Sequence, residues 1–145
     1  MANCQHHEKS GNSGTVLVES AISLMMLVAV LFGIVEAGRF LSIQATLTDA
    51  AREGARIAVE PAIGTATLPT DAQIQSQVQV FLDSNDVTGA TVTIQRPISI
   101  TINGISTQFT QVTVQAPYKP ITLPMFAALQ VTLEGRSVMR NETSP

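Results

Sequence analysis

Charged side chains make up only 13% of this 145-residue chain, whereas an average soluble domain carries roughly 25%. Hydrophobic residues reach 45%, the net charge is -3, and no basic stripe appears anywhere. Nucleic acid is therefore not an expected partner. Tryptophan is absent and there is one tyrosine among five phenylalanines, too few rings for a base-stacking platform. Cysteine occurs once, at Cys4, and histidine only at His6 and His7. If the front of the chain is cut away, the remainder has neither residue type. Disulfides, thiolate chemistry, histidine acid–base work and the commonest zinc ligands then all go together. No Ser-His-Asp set can exist without a mature histidine, and no two acids are placed for glycoside hydrolysis. The expectation is a protein that is not an enzyme and has no cofactor, metal or small-molecule substrate.

The first fourteen residues, MANCQHHEKSGNSG, are polar and lack hydrophobic periodicity. They read as a disposable, disordered leader. Cys4, His6 and His7 have ligand chemistry, but nothing nearby completes a metal site. A secretory signal peptide would place a basic stretch before a short apolar run and a cut site after it. Here the basic stretch is Lys9 alone. Ala37-Gly38 imitates a cut site, yet the helical pattern continues through it.

From Gly14 to Val59 nothing breaks a helix, and Pro61 stops it. The sixteen residues Ser20 to Val35 carry no charge. Adding Val16, Leu17 and Val18 gives a span adequate for a bilayer, with Glu19 inside it. A carboxylate in hydrocarbon calls for a functional partner. Ala21, Ala29, Gly33 and Ala37 share one face, with Met25 in the gap, and would let another helix approach closely. Glu36 and Arg39 are spaced to pair at the far boundary. Beyond Phe40 the pattern turns amphipathic. Ile43, Leu47, Ala50, Gly54 and Ala58 form a stripe for packing, on the head's own sheet or on another subunit. Asp49, Arg52, Glu53 and Arg56 occupy the other sides as a solvated, self-paired face. A helix over Val16–Val59 would be about 66 Å long, a stalk.

Gly14-Thr15-Val16-Leu17-Val18-Glu19 resembles the prepilin peptidase signal of type IV pilin-like proteins. Ala51-Arg52-Glu53-Gly54-Ala55-Arg56, preceded by Ala50, resembles the segment that follows the hydrophobic stretch in TadE-like proteins of tight-adherence (Flp) pilus systems. The resemblance covers residues 14 to 60 well and the rest only in outline. It implies cleavage after Gly14, with Thr15 as the first mature residue and Glu19 the fifth. The new amino group, on this subunit or a neighbour, would be the counter-charge of Glu19. Ser20 stands where the major Flp pilins carry an aromatic residue, which favours a TadE-like minor pilin or pseudopilin. Partners implied are a prepilin peptidase, other pilin-like subunits, a secretion ATPase and platform proteins. The implied location is the bacterial cytoplasmic membrane, in a single pass with the leader in the cytoplasm and the head outside, with or without entry into the pilus.

The head opens after a Pro/Gly/Ala/Thr linker at residues 61–70. Thr70-Asp71-Ala72-Gln73 fits a capping box, starting a helix to about Asp83 whose face is Ile74, Val78, Phe81 and Leu82. Period-two alternation follows: Val92 and Ile94, then Ile98, Ile100 and Ile102. Asn103-Gly104 signals a hairpin. The return strand shifts phase between Phe109 and Val112, predicting a bulge near Thr110. Pro117, Pro120 and Pro124 mark a crossover loop, and Leu129, Val131 and Leu133 a last strand before Gly135. Arg136 to Pro145 is polar. Residues 61–133 hold five charges, Asp71, Asp83, Asp86, Arg96 and Lys119. Asp83 and Asp86 with Asn85 lack regular calcium-ligand spacing and read as loop solvation. The sequon at Asn141 carries little weight.

The expected fold class is α+β: a long transmembrane and stalk helix, then one short helix covering a three- to four-stranded antiparallel sheet. The expected divisions are leader 1–14, transmembrane and stalk helix 15–60, linker 61–70, head 71–140 and tail 141–145. The leading function is support of Flp pilus assembly by a processed TadE-like minor pilin. The alternative is a single-pass membrane-anchored extracytoplasmic binding module, in which Gly14 and Glu19 would be dispensable.

Overall fold

A computed structural model of the chain describes residues 13–61, 67–102, 105–120 and 130–141. The leader with Cys4, His6, His7 and Lys9, the Asn103-Gly104 turn, Pro124, Leu129 and residues 142–145 lie outside them. Helix α1 spans Ser13–Val59 and α2 spans Asp71–Ser84. Strands β1 (Thr91–Ile102), β2 (Ile105–Tyr118) and β3 (Val131–Arg140) follow. The sheet is antiparallel in the order β1-β2-β3. The α+β layout read from the sequence is the observed one, with three strands.

α1 is a single helix of 47 residues, about 70 Å long. It ends where expected, two residues before Pro61. α2 opens on the expected capping box: the Thr70 side chain accepts from the Gln73 backbone, and the Gln73 side chain accepts from the Thr70 N–H. Ile74, Val78 and Leu82 of α2 are buried, and Phe81 packs against the same core.

Three features differ from the reading above. First, α2 does not cover the sheet alone. The last third of α1 lies on it, with Leu47, Ala50, Ala51, Ala55 and Ala58 fully buried against Val112, Val114, Ala116 and Leu133. The stripe of small residues therefore packs on the chain's own sheet, and stalk and head share one core. Close approach needs small residues on both sides. A Cβ built on Gly54 would stand 2.7 Å from Val78 Cγ2, and one on Gly135 2.2 Å from the Leu47 carbonyl oxygen.

Second, β3 does not stop at Gly135. That glycine lies inside the strand, opposite Val114, and pairing continues to Arg140 opposite Phe109. Gly135 is there because a helix backbone crosses it. The Pro-marked segment also makes no crossover, since β3 pairs directly with β2. Pro117 lies within β2 past the first β1 pair, Thr91 with Gln115, so β2 has a neighbour on one side only and tolerates the missing N–H.

Third, the bulge is on the partner strand. Gln95 pairs with Gln111 and Ile98 with Phe109, so the extra residue falls at Arg96-Pro97 of β1, across from Thr110. Proline cannot donate to a ladder, and a bulge is where a strand admits it. Residues paired across a ladder share a face. Val92 and Ile94 thus join the core with Val114 and Val112, while Ile98 joins Phe109 on the opposite face. β2 itself keeps its alternation. Thr110 takes a core position, fully buried, and its hydroxyl donates to Asn141 Oδ1 at 2.7 Å. Asn141 is 6% exposed and fastens the end of β3.

The two glycine contacts predict different outcomes. Gly54→Ala meets the ends of the Val78 and Val112 side chains, which can give way by a small shift, and we expect a loss of about 1–3 kcal/mol. Gly135→Ala meets backbone that cannot yield, so the loss should exceed that of Gly54→Ala or prevent the head from folding. Thermal unfolding of the full chain in detergent, followed by circular dichroism, measures both. Equal losses would show that the backbone crossing is not tight.

Candidate functional site

The features singled out in the sequence fall at opposite ends of α1. Gly14 and Thr15 lie in its first turn, and Glu19 sits one turn further, exposed. The charged motif begins at Ala51, about 48 Å from Glu19 along the axis. The structure therefore does not bring Gly14, Thr15 and Glu19 together with the motif. They belong to two environments joined by one rigid element.

In the first environment the helix has no cover among the described residues. Val16, Leu17, Met25, Leu31 and Val35 are all more than half exposed, and α1 is long and apolar enough to cross a membrane. Ala21, Ala29, Gly33 and Ala37 are exposed too. A Cβ on Gly33 would meet nothing within 4 Å, so this face is uncovered among the described residues. The apolar segment suggests a single-pass anchor, because side chains of this kind are stable in hydrocarbon and costly in water.

In the second environment the motif divides cleanly. Ala51, Gly54 and Ala55 face the core, while Arg52, Glu53 and Arg56 lie outside it. Arg52 reaches Asp49 at 3.3 Å. Arg56 makes a forked pair with Glu53, at 3.0 Å from Nε and 2.7 Å from Nη2, and its Nη1 lies 2.7 Å from Glu60. The hydrogen bonds from Arg56 hold the Glu53 carboxyl below its ordinary value, against the opposing effect of burial. The same partner raises Arg56 above its own. Exposed pairs of this kind contribute little stability each. Their arginines are committed to neighbouring acids, as the self-paired reading required. Asp83 accepts from Gln79 at 3.0 Å, and no group of three His, Cys, Asp or Glu among the described residues could hold a metal.

Sequence reasoning missed the joint between these environments. β2 ends on Tyr118, whose hydroxyl donates to the Glu36 carboxylate. The Arg39 guanidinium stands 5.5 Å from the centre of the Tyr118 ring. Phe40 meets the same ring edge-on, with centroids 5.5 Å apart and planes at 88°. Arg39 Nη1 lies 3.9 Å from Glu36 Oε1, so the expected Glu36–Arg39 pair exists, but the tyrosine is its centre. Glu36 is the first charge after the uncharged run, which fixes the bottom of the sheet at that level of the helix. The available signal was that Tyr118 is the chain's one tyrosine, placed at a strand end. Nothing local tied it to α1, 82 residues away.

Residues 14–56 match the model of a family described as TadE-like protein. The match lies wholly within α1 and stops short of α2 and the sheet. No curated protein and no solved structure matches the chain. The TadE-like segment runs from the uncovered apolar part of α1 into the part buried against the sheet.

Tyr118 offers a readout of the joint. It is 5% exposed, and burial first, then the hydrogen bond to Glu36, raises its pKa above the ordinary 10.0. The folded chain thus holds the phenol proton more tightly than the unfolded chain does. That stabilisation is complete below pH 10 and is lost as pH rises through the folded value. Absorbance titration of the sole tyrosine should give a midpoint above the free-tyrosine value, and melting in this alkaline range should be less pH-dependent in Tyr118→Phe. A normal midpoint would mean that Tyr118 is not held against α1.

Proposed function

We propose that this chain, TadE-like over its stalk, is a minor pilin or pseudopilin that supports assembly of a Flp-type pilus. The observation that carries the proposal is one continuous helix with Gly14 and Glu19 at its uncovered apolar end and the TadE-like match running down it into the head. A prepilin peptidase cuts between Gly14 and Thr15. The new Thr15 amino group then lies four residues from Glu19, close enough in sequence to pair with it on the same subunit or across to a neighbour. In hydrocarbon such a pair is favoured because either charge alone is costly. The small residues Ala21, Ala29, Gly33 and Ala37 let a second helix approach, and packing of that kind drives helix association in lipid.

The protein acts by association and not by catalysis. Its anchor lies in the bacterial cytoplasmic membrane with the leader inside and the head outside. The peptidase, pilin-like subunits and the secretion machinery are its partners.

The test is the intact mass and N-terminal sequence of protein purified from its own membrane, together with Glu19→Ala. The expected chain starts at Thr15 and stays full-length when Gly14 is changed. Glu19→Ala should insert normally and fail to support pilus assembly. A chain never cut, with assembly indifferent to Glu19, would leave an anchored binding module instead.

A further inference from the structure

We propose that the lower end of the sheet rests on the lipid headgroup layer, with Arg39 and Lys119 binding anionic phosphate groups there. This depends on the anchoring of residues 16–35 in a bilayer. Given that anchor, height decides the matter. Tyr118 is bonded to Glu36, the first charge after the uncharged run, so the end of β2 is held at the boundary of the apolar segment by direct contact with the helix.

The residues at that level have the chemistry of a membrane interface. Aromatic rings and long cations gather where hydrocarbon meets headgroups. Here Tyr118 and Phe40 stack edge to face, and Phe40 is 36% exposed. The Arg39 side chain is 39% exposed, and Lys119, the residue after Tyr118, is exposed. Val131, paired with Tyr118 across the ladder, is 43% exposed. The acid on the helix at this level is Glu36, which accepts from the tyrosine hydroxyl and lies 3.9 Å from Arg39 Nη1, so Arg39 and Lys119 together leave one net positive charge against it. The next acid up the helix, Asp49, pairs with Arg52 and lies about 15 Å beyond Arg39. A bilayer surface with anionic lipid matches this set in charge and is continuous with the span beneath it.

With no tryptophan and a single tyrosine, tyrosine emission reports this corner alone. The full chain would be placed in vesicles of phosphatidylcholine and phosphatidylglycerol carrying a nitroxide at the headgroup or at mid-chain depth. Headgroup nitroxide should quench Tyr118 more strongly than mid-chain nitroxide or a water-soluble one. Arg39→Gln with Lys119→Gln should lower selectivity for spin-labelled phosphatidylglycerol over phosphatidylcholine, about fivefold for each cation. Quenching no stronger from headgroup nitroxide than from the water-soluble one, or unchanged lipid selectivity, overturns the proposal. A Leu27→Cys label site in a Cys4→Ser background separates it from the anchoring itself. If Cys at 27 is shielded from a water-soluble maleimide and Tyr118 is still unquenched, the anchor stands and the lipid contact fails. If that position is labelled, the anchor fails and takes the lipid contact with it.

Discussion

Helix α1 crosses the sheet so closely that the Leu47 carbonyl occupies space a side chain on Gly135 would need. The other buried features of the head follow from that crossing. Alanines at 50, 51, 55 and 58 keep the helix surface low, Gly54 admits Val78 and Val112, and the valines of β2 fill the space that remains. Side chains packed at this separation leave no room for water, and the apolar area they remove from it favours the fold. A larger residue at any of these places would lift the helix and open the core along its length.

The same helix meets two surroundings without interruption. Up to Val35 its side chains are mostly apolar, and no described residue covers them. From Leu47 on, buried apolar residues, most of them small, face the sheet while Asp49, Arg52 and Arg56 are exposed. In hydrocarbon, where lipid tails are as apolar as leucine, close contact between helices depends on small residues and paired charges. In the head, contact depends on burial from water. α1 has small residues in both halves: in the apolar half they lie on a face that no described residue covers, and against the sheet they bring backbone to backbone.

The collar of Glu36, Arg39, Phe40 and Tyr118 joins these halves mechanically. A strand end is bonded to the helix where the apolar run stops, so the head cannot swing freely on its stalk. A tilt or shift of the anchor would reach the sheet directly. The joint thereby sets the height and rotation of the head on the helix. Such a coupling is a property of the joint and not of either part.

The sequence by itself determined what depends on local chemistry. Uninterrupted helix formers up to Pro61 made α1, the Thr70–Gln73 box opened α2, and alternation gave the strands. The Gly14–Glu19 spacing and the Ala51–Arg56 motif were legible for the same reason: each lies within a few turns of one helix, where spacing alone fixes the face. What crosses long stretches of chain needed the tertiary structure. Gly135 read as a strand end because its reason, the Leu47 backbone, is far away in sequence. The phase change near Thr110 was visible, but Pro97 on the partner strand decided where the extra residue went. Whether the small stripe met the chain's own sheet or another subunit, and what Tyr118 touched, were decided by packing, since small residues permit close approach without specifying who approaches.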